Sequence, residues 1–256
     1  MSPTNQASWV VQTNVERESA SPRLLRDACI ALDLPFYGIS VVRDSKALAQ
    51  LPNIAGPVVF HGRGTLIRCA LQDPRWARGV FFTDTSFTHT AYVSAYGDDM
   101  LNADARVVQF GELLNAEFRP DAQLFVRPDD DSKRIPGQVT TFKQLAEANL
   151  DNTSNLVVSD VKEIDAEWRL FFVQRKVVSG SMYRPSADHL IPQEVIQFAE
   201  TAARRWVPAE VFVMDVARVN RTWKIIECNC FNGSRFYEAN VEAIVAAVSR
   251  FQADVY

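Results

Sequence analysis

The acid in Val211-Phe212-Val213-Met214-Asp215-Val216 stands inside an apolar run, where a carboxylate is costly unless it is paired or bound to a metal. The next apolar run ends in Glu227-Cys228-Asn229-Cys230. Residues two apart on a strand leave the same face, so Glu227 and Asn229 share one face and the two cysteines take the other. With Asn220-Arg221-Thr222 as a three-residue loop, the two runs form a hairpin that sets Asp215 directly across from Glu227, with Cβ atoms about 5 Å apart. Two carboxylates and an amide oxygen at that spacing suit magnesium, a hard cation that keeps positions open for water and phosphate oxygens. The alternative is structural: Glu227 pairs with Lys224 or Arg221, and Asp215 caps a buried amide.

The order and spacing of these pieces resemble the ATP-grasp superfamily over about residues 121–240. A late strand pair in that superfamily carries an acid and then Glu-x-Asn as magnesium ligands, which matches Asp215, Glu227 and Asn229. Asn232-Gly233-Ser234 resembles the substrate-side loop that follows. An upstream strand in the family ends in Lys-Pro, whose lysine meets the nucleotide phosphates; here the pair is Arg127-Pro128, followed by a loop from Asp129 to Gly137 that holds Lys133. Arginine keeps the charge and offers two parallel N–H donors to phosphate. Val157-Val158-Ser159-Asp160-Val161 resembles the connector whose backbone reads adenine, with Asp160 or Glu163 near the sugar or amino group. Glu167-Trp168-Arg169 matches an acid-x-Arg whose arginine reaches the transferred phosphate, although alternation also permits a simple Glu167–Arg169 ion pair. Tyr183, Arg184, Ser234 and Tyr237 are the candidates for gripping a carboxylate substrate.

The resemblance implies a ligase that uses ATP and Mg2+ to activate a carboxylate as an acyl phosphate and pass it to an amine. The substrates would be small molecules, amino acids or peptides. Arg127, Lys133 and Arg169 would neutralise phosphate charge. Arginine in the lysine position keeps open a nucleotide-binding module that does not ligate. A metal-dependent phosphoesterase is the third reading, but two-metal sites want more carboxylates and histidines than this. His61, His89 and His189 share no spacing with a nucleophilic serine or cysteine, so no covalent triad is expected.

The elements that must position these residues divide into two patterns. Up to about residue 120 strands and helices alternate: a strand at Trp9–Val11, a helix opened by a Ser21 cap and Pro22, a strand at Tyr37–Val42, and Pro57–Phe60 running through His61-Gly62-Arg63-Gly64 into a helix. Such a strand–glycine turn–helix unit belongs to an α/β layer with its loop at the ligand-binding end, although the two glycines alone need mean no more than a tight turn. Gly79–Phe82 reads as another strand, and Asp98–Asp104 is a polar break before Val107–Phe110. From Asp121 hairpins take over, with a capping box at Thr141–Gln144. Glu167–Val173 and Val177–Tyr183 flank a turn at Gln174–Lys176, and helices cover Pro192–Trp206 and the stretch from Val241 to Phe251. The expected fold class is α/β, becoming α+β in the C-terminal part. It comprises an N-terminal α/β domain over residues 1–120 and an ATP-grasp unit over 121–256, with a small lobe over about 121–158 and a C-terminal lobe over about 159–256.

The 256-residue chain is 47% hydrophobic and 23% charged, ordinary for a folded globular protein. Its net charge of −4 is spread in both signs, without the basic cluster that nucleic acid requires. No apolar run approaches the roughly 20 residues of a membrane span, and Met1–Glu16 is polar, so a cytoplasmic protein is expected. Cys29, Cys69, Cys228 and Cys230 lack the pattern of a zinc site or disulfide framework and read as reduced packing residues.

Overall fold

The computed structural model describes residues 6–14, 20–41, 54–116, 119–130, 135–183 and 190–256. The first layer is a parallel sheet of β1 (Ser8–Gln12), β2 (Phe36–Ile39) and β3 (Val58–His61) in the order β2-β1-β3. All of β1 is buried, as befits the middle strand of a parallel sheet covered on both faces. Helix α1 (Ser21–Ala31) connects β1 to β2, and α2 (Gly64–Gln72) follows β3 directly. Ser21 is the first helical residue rather than the cap. Ala20 holds the cap position with no side-chain bond, and Pro22 keeps its expected place in the first turn.

Gly79–Phe82 is not a strand. A 3-10 turn at Ala77–Gly79 leads into extended but unpaired backbone. One side chain ties it to β3: Asn232 accepts from the Phe81 N–H at 2.7 Å and donates to the Gly79 and Phe60 carbonyls at 3.0 and 2.6 Å. A neighbouring amide has taken the place of a neighbouring strand.

Helix α3 (His89–Tyr96), capped by Thr88, leads to the second sheet. This sheet is antiparallel: β4 (Arg106–Gln109), β5 (Gln123–Pro128), β6 (Gln138–Thr141) and β7 (Asn155–Ser159), in the order β4-β7-β5-β6. Helices α4 (Phe110–Leu114) and α5 (Phe142–Ala146) pack on it, the latter with the expected Thr141–Gln144 capping box. Phe110, Leu113, Leu124, Val126, Leu145, Leu156 and Val158 form its own core. The sheet therefore begins at Arg106, and a division at residue 120 passes between α4 and β5, inside it. Nothing in the short run Arg106–Gln109 distinguishes a strand of this sheet from one of the first.

The third sheet, also antiparallel, contains β8 (Ala166–Val173), β9 (Lys176–Met182), β10 (Val211–Val219) and β11 (Thr222–Cys230) in the order β11-β10-β8-β9. Helices α6 (Gln193–Arg205) and α7 (Val241–Val255) complete the chain. Leu170, Phe172, Phe212, Met214 and Cys228 share a core with Val10, Phe60, Leu66 and α6. Phe171, Val173, Val211 and Val213 share another with Trp9, Val11, Val59 and α7. The first and third sheets are thus bonded through two common cores, whereas the second keeps a core to itself. No described helix is long and apolar enough to cross a membrane.

The hairpin that carries the acids departs from expectation in an instructive way. Its turn has two residues, Asn220 and Arg221, both at positive φ (49° and 64°), and Val219 pairs with Thr222. This is the twist-matched two-residue hairpin turn. Uninterrupted, that even loop would place Glu227 opposite Met214, on the wrong face. Between Val216↔Ile225 and Asp215↔Glu227 the register shifts by one residue, leaving Ile226 as a bulge. The bulge restores what the three-residue loop was expected to give: Asp215 faces Glu227. The β8–β9 turn is likewise the two residues Gln174 and Arg175, at φ 48° and 66°.

Candidate active site

Strand pairing sets Glu227, Asp215, Arg169 and Ser181 in one row across β11, β10, β8 and β9. Asp215 is 2% exposed and Arg169 7%, and the two join through a bidentate pair, Nε to Oδ1 at 2.8 Å and Nη2 to Oδ2 at 2.7 Å. The partner of Arg169 is therefore Asp215 and not Glu167. Burial alone would lower the guanidinium pKa, but the Asp215 carboxylate outweighs it and raises the pKa, so Arg169 stays charged. The rings of Tyr183 and Tyr237, 5.1 Å from each other, lie together on one side of its guanidinium carbon at 5.5 and 5.3 Å. Tyr237 holds φ at 49°, a conformation that costs an L-residue about 1–2 kcal/mol. A hydrogen bond with Tyr237, then burial, pushes the Tyr183 phenol above its usual range, so it remains protonated.

Glu227 meets Arg127 of β5 at 2.6 Å, linking the second sheet to the third. Arg127 also donates from Nε to the Pro128 carbonyl at 3.1 Å. The amide nitrogen of Asn229 lies 3.0 Å from both Asp215 Oδ2 and Glu227 Oε1. One atom thus touches both carboxylates, so they are close enough to share a single cation, and turning the Asn229 amide to present its oxygen completes a donor set that a hard divalent ion takes. Cys228, between them in sequence, faces the apolar core, where burial pushes its thiol pKa up. The cysteines are free thiols.

These residues open onto a cleft of about 950 Å³ that draws on all three sheets, a size at the upper end for small-ligand pockets. The glycine turn after β3 forms its N-terminal wall. Gly62 is required there: a Cβ would come within 2.7–2.9 Å of Gln12 and Leu66. Gln12, at the end of β1, accepts from the Arg63 N–H at 2.9 Å and so fixes the entry to α2.

His61 lines the same cleft, stacked on Phe236 at 5.2 Å, with Nε2 3.0 Å from the Ser234 carbonyl. A carbonyl accepts, so Nε2 carries the proton. Burial lowers the His61 pKa to about 4, against a smaller opposing effect of that hydrogen bond. Between pH 6.5 and 4 the unfolded chain takes up a proton here that the folded chain does not, so stability held above pH 6.5 is lost as pH falls through this window. The expected loss is about 1–3 kcal/mol, read from denaturant midpoints. His89, whose pKa burial also lowers, slopes the same way. His61→Asn should remove its own share of the slope; an unchanged slope would refute the assignment.

Of the residues singled out in the sequence, Arg127, Arg169, Tyr183, Glu227, Asn229, Ser234 and Tyr237 line the cleft, and Asp215 lies beneath it. Ser234 is buried, and its hydroxyl donates to the Cys230 carbonyl at 2.7 Å. Lys133 and Arg184 lie outside the described residues. Ser159 is buried with its hydroxyl donating to Asn102 Oδ1 at 3.2 Å, and Ser159, Asp160, Val161 and Glu163 are not part of the cleft lining. Gln12, Arg63, Arg68 and Arg235 also line the cleft, none of them among the sequence candidates; Arg63 stands in the glycine turn and Arg235 follows Asn232-Gly233-Ser234. Asn232, read as part of a substrate loop, is fully buried and clamps the first layer.

Residues 63–248 match a family model for an ATP-grasp domain, family 3 of its clade. No curated protein matches the chain. Among solved structures, a RimK domain ATP-grasp protein from Sphaerobacter thermophilus aligns over 96% of this chain and 98% of its own, at 13% identity and a TM-score of 0.58. D-cycloserine synthetase DcsG aligns over 95% and 99%, at 12% identity and 0.60. The ATP-grasp ligase PsnB, complexed with a phosphomimetic variant of its minimal precursor, Mg and ADP, aligns over 96% and 98%, at 13% identity and 0.57. PsnB is also known with precursor peptide PsnA2 and AMPPNP. At such identities the shared property is the fold.

Proposed function

The chain belongs to this ATP-grasp domain family, and from that premise we propose that it is an ATP-dependent ligase joining a carboxylate to an amine through an acyl phosphate. The observation that carries the reading is the row Glu227–Asp215–Arg169, joined by Arg127 and Asn229, at one cleft. Asp215, Glu227 and Asn229 are the residues that would hold magnesium, which supplies charge neutralisation at phosphate oxygens. Arg127, with Lys133 as second cation, takes the nucleotide phosphates. Ser159, Asp160, Val161 and Glu163 are assigned to adenine and ribose, and Tyr183, Arg184, Ser234 and Tyr237 to the carboxylate substrate, an amino acid, another small metabolite or a peptide. The nucleotide-binding unit is assigned a small lobe of residues 106–159 and a C-terminal lobe of 160–256, in a cytoplasmic protein.

In the proposed reaction a carboxylate oxygen of the substrate attacks the γ-phosphorus of ATP, and ADP leaves. The amine nitrogen then attacks the acyl carbon, the C–O bond breaks, and inorganic phosphate departs with the amine proton. Arg169, held charged by Asp215 and packed on the Tyr183 and Tyr237 rings, stabilises charge on the transferring phosphoryl oxygens without having to reorganise. The work of the chain is positioning and electrostatics.

One observation favours a second reading, a nucleotide-binding module without turnover: each acid of the site already carries an arginine. Incubation with ATP, magnesium and pooled amino acids and peptides separates the two. We expect phosphate release that depends on an added amine, with condensed products detected by mass spectrometry. Nucleotide binding without turnover would establish the module, and acceptor-independent release a hydrolase.

A further inference from the structure

Every carboxylate oxygen of the candidate cation site already meets a side-chain donor. Asp215 Oδ1 and Oδ2 take Nε and Nη2 of Arg169, and Oδ2 also takes the Asn229 amide. Glu227 Oε1 takes the same amide, and Oε2 takes Nη1 of Arg127 at 2.6 Å. Two carboxylates thus face two guanidiniums, so the charges of these four groups cancel, and Asn229 presents N–H rather than its oxygen. In this arrangement a divalent cation would meet donors and like charge where it needs free oxygens.

The two arginines are held differently. Arg169 lies on the strand next to Asp215, joins it by two bonds and packs on the Tyr183 and Tyr237 rings. Arg127 belongs to β5, in the sheet that keeps a core to itself, and meets Glu227 of the third sheet from there. The Arg127–Glu227 pair therefore joins two sheets with separate cores, and it can part without opening either core. Both residues line the cleft. A polyphosphate there offers Arg127 several charged oxygens, which a guanidinium takes through two parallel N–H bonds.

We propose that Arg127 gates the cation site: without nucleotide it occupies Glu227 and keeps a divalent cation out, and nucleotide phosphates draw it away and uncover Glu227 for the ion. The inference rests on the assignment of Asp215, Glu227 and Asn229 to magnesium in the ligase reading, but not on turnover. Nucleotide and cation then each raise the affinity for the other by the same factor. Phosphate oxygens also complete the shell of such an ion, so this coupling alone does not identify the gate. What identifies it is the behaviour of the site without nucleotide once Arg127 is gone.

The test titrates Mn2+ into the full chain without nucleotide, read by calorimetry and by the paramagnetic resonance of the unbound ion. Arg127→Gln should bind Mn2+ roughly tenfold or more tightly than wild type, because a positive charge leaves the carboxylate. Arg127→Lys keeps that charge and should stay within about threefold of wild type. Arg68→Gln removes one positive charge from the same cleft lining and should also stay within about threefold, since solvent and salt screen a charge that is not on the acid. No gain in Arg127→Gln overturns the gate, and so does an equal gain in Arg127→Lys or Arg68→Gln. A wild type that binds Mn2+ alone as tightly as with a non-hydrolysable ATP analogue bound also overturns it, and that comparison needs no variant to fold. Gated binding without amine-dependent phosphate release leaves the gate standing and removes the ligase reading; such release with ungated Mn2+ binding does the reverse.

Discussion

Asp215→Ala is expected to lower folding stability by about 3–5 kcal/mol and to abolish turnover. The carboxylate is almost fully buried and holds Arg169 by two short bonds. Removing it leaves a guanidinium that is 7% exposed and has lost its counter-charge, which is the costly way to break a buried pair. Removing both charges is different, because apolar side chains of similar volume neither demand a partner nor leave one behind. Arg169→Met/Asp215→Leu should therefore recover most of the stability lost in Asp215→Ala, yet remain inactive. Denaturant midpoints of the single and double variants, read beside phosphate release, check this. A single variant within about 1 kcal/mol of wild type would show that Arg169 finds another partner and that the pair is not what holds it.

Much of this site was legible because strand alternation is a strong rule. Glu227 and Asn229 face the cleft and Cys228 faces the core, as spacing alone requires. The opposition of Asp215 and Glu227 was also foreseen, but for a reason the structure replaces. A two-residue turn and a bulge at Ile226 together do what one three-residue loop was expected to do. Ile225-Ile226 reads as uninterrupted strand, so nothing local announces the bulge. The pairing of Arg169 with Asp215 spans 46 residues, and neighbouring Glu167 was the nearer choice on paper.

Long-range order explains the other differences. Gly79–Phe82 has the composition of a strand, but its backbone partner is the side chain of Asn232, about 150 residues away. The strand Arg106–Gln109 joins the second sheet through Asn155–Val158, a pairing that no local pattern encodes. The N-terminal wall of the cleft was the larger omission. Its glycine turn was noted, yet which other segments would meet it depends on how the first and third sheets share their cores.

Glu227→Gln separates chemistry from folding most cleanly. Glu227 is half-buried at the edge of its sheet and its partner Arg127 keeps a second bond, to the Pro128 carbonyl. Arg127 is buried, but glutamine fills the same volume and still accepts from Arg127 and Asn229, so what is lost is the charge assistance of that bond, about 1–2 kcal/mol. What it lacks is the negative charge. With only Asp215 left against Arg169 and Arg127, the site turns net positive, which disfavours a divalent cation. Turnover should fall on the order of 10²–10³-fold, comparable to losing one preorganised electrostatic contact in a transition state. The melting temperature should move by only a few degrees. A second measurement distinguishes loss of cation binding from a misplaced Arg127. Nucleotide affinity with Mg2+ should drop towards the value without it, whereas metal-free affinity should hold, because Arg127 is released from its acid and remains available to phosphate. Unaltered turnover would refute the role given to Glu227, and a fall in metal-free affinity would assign the effect to Arg127.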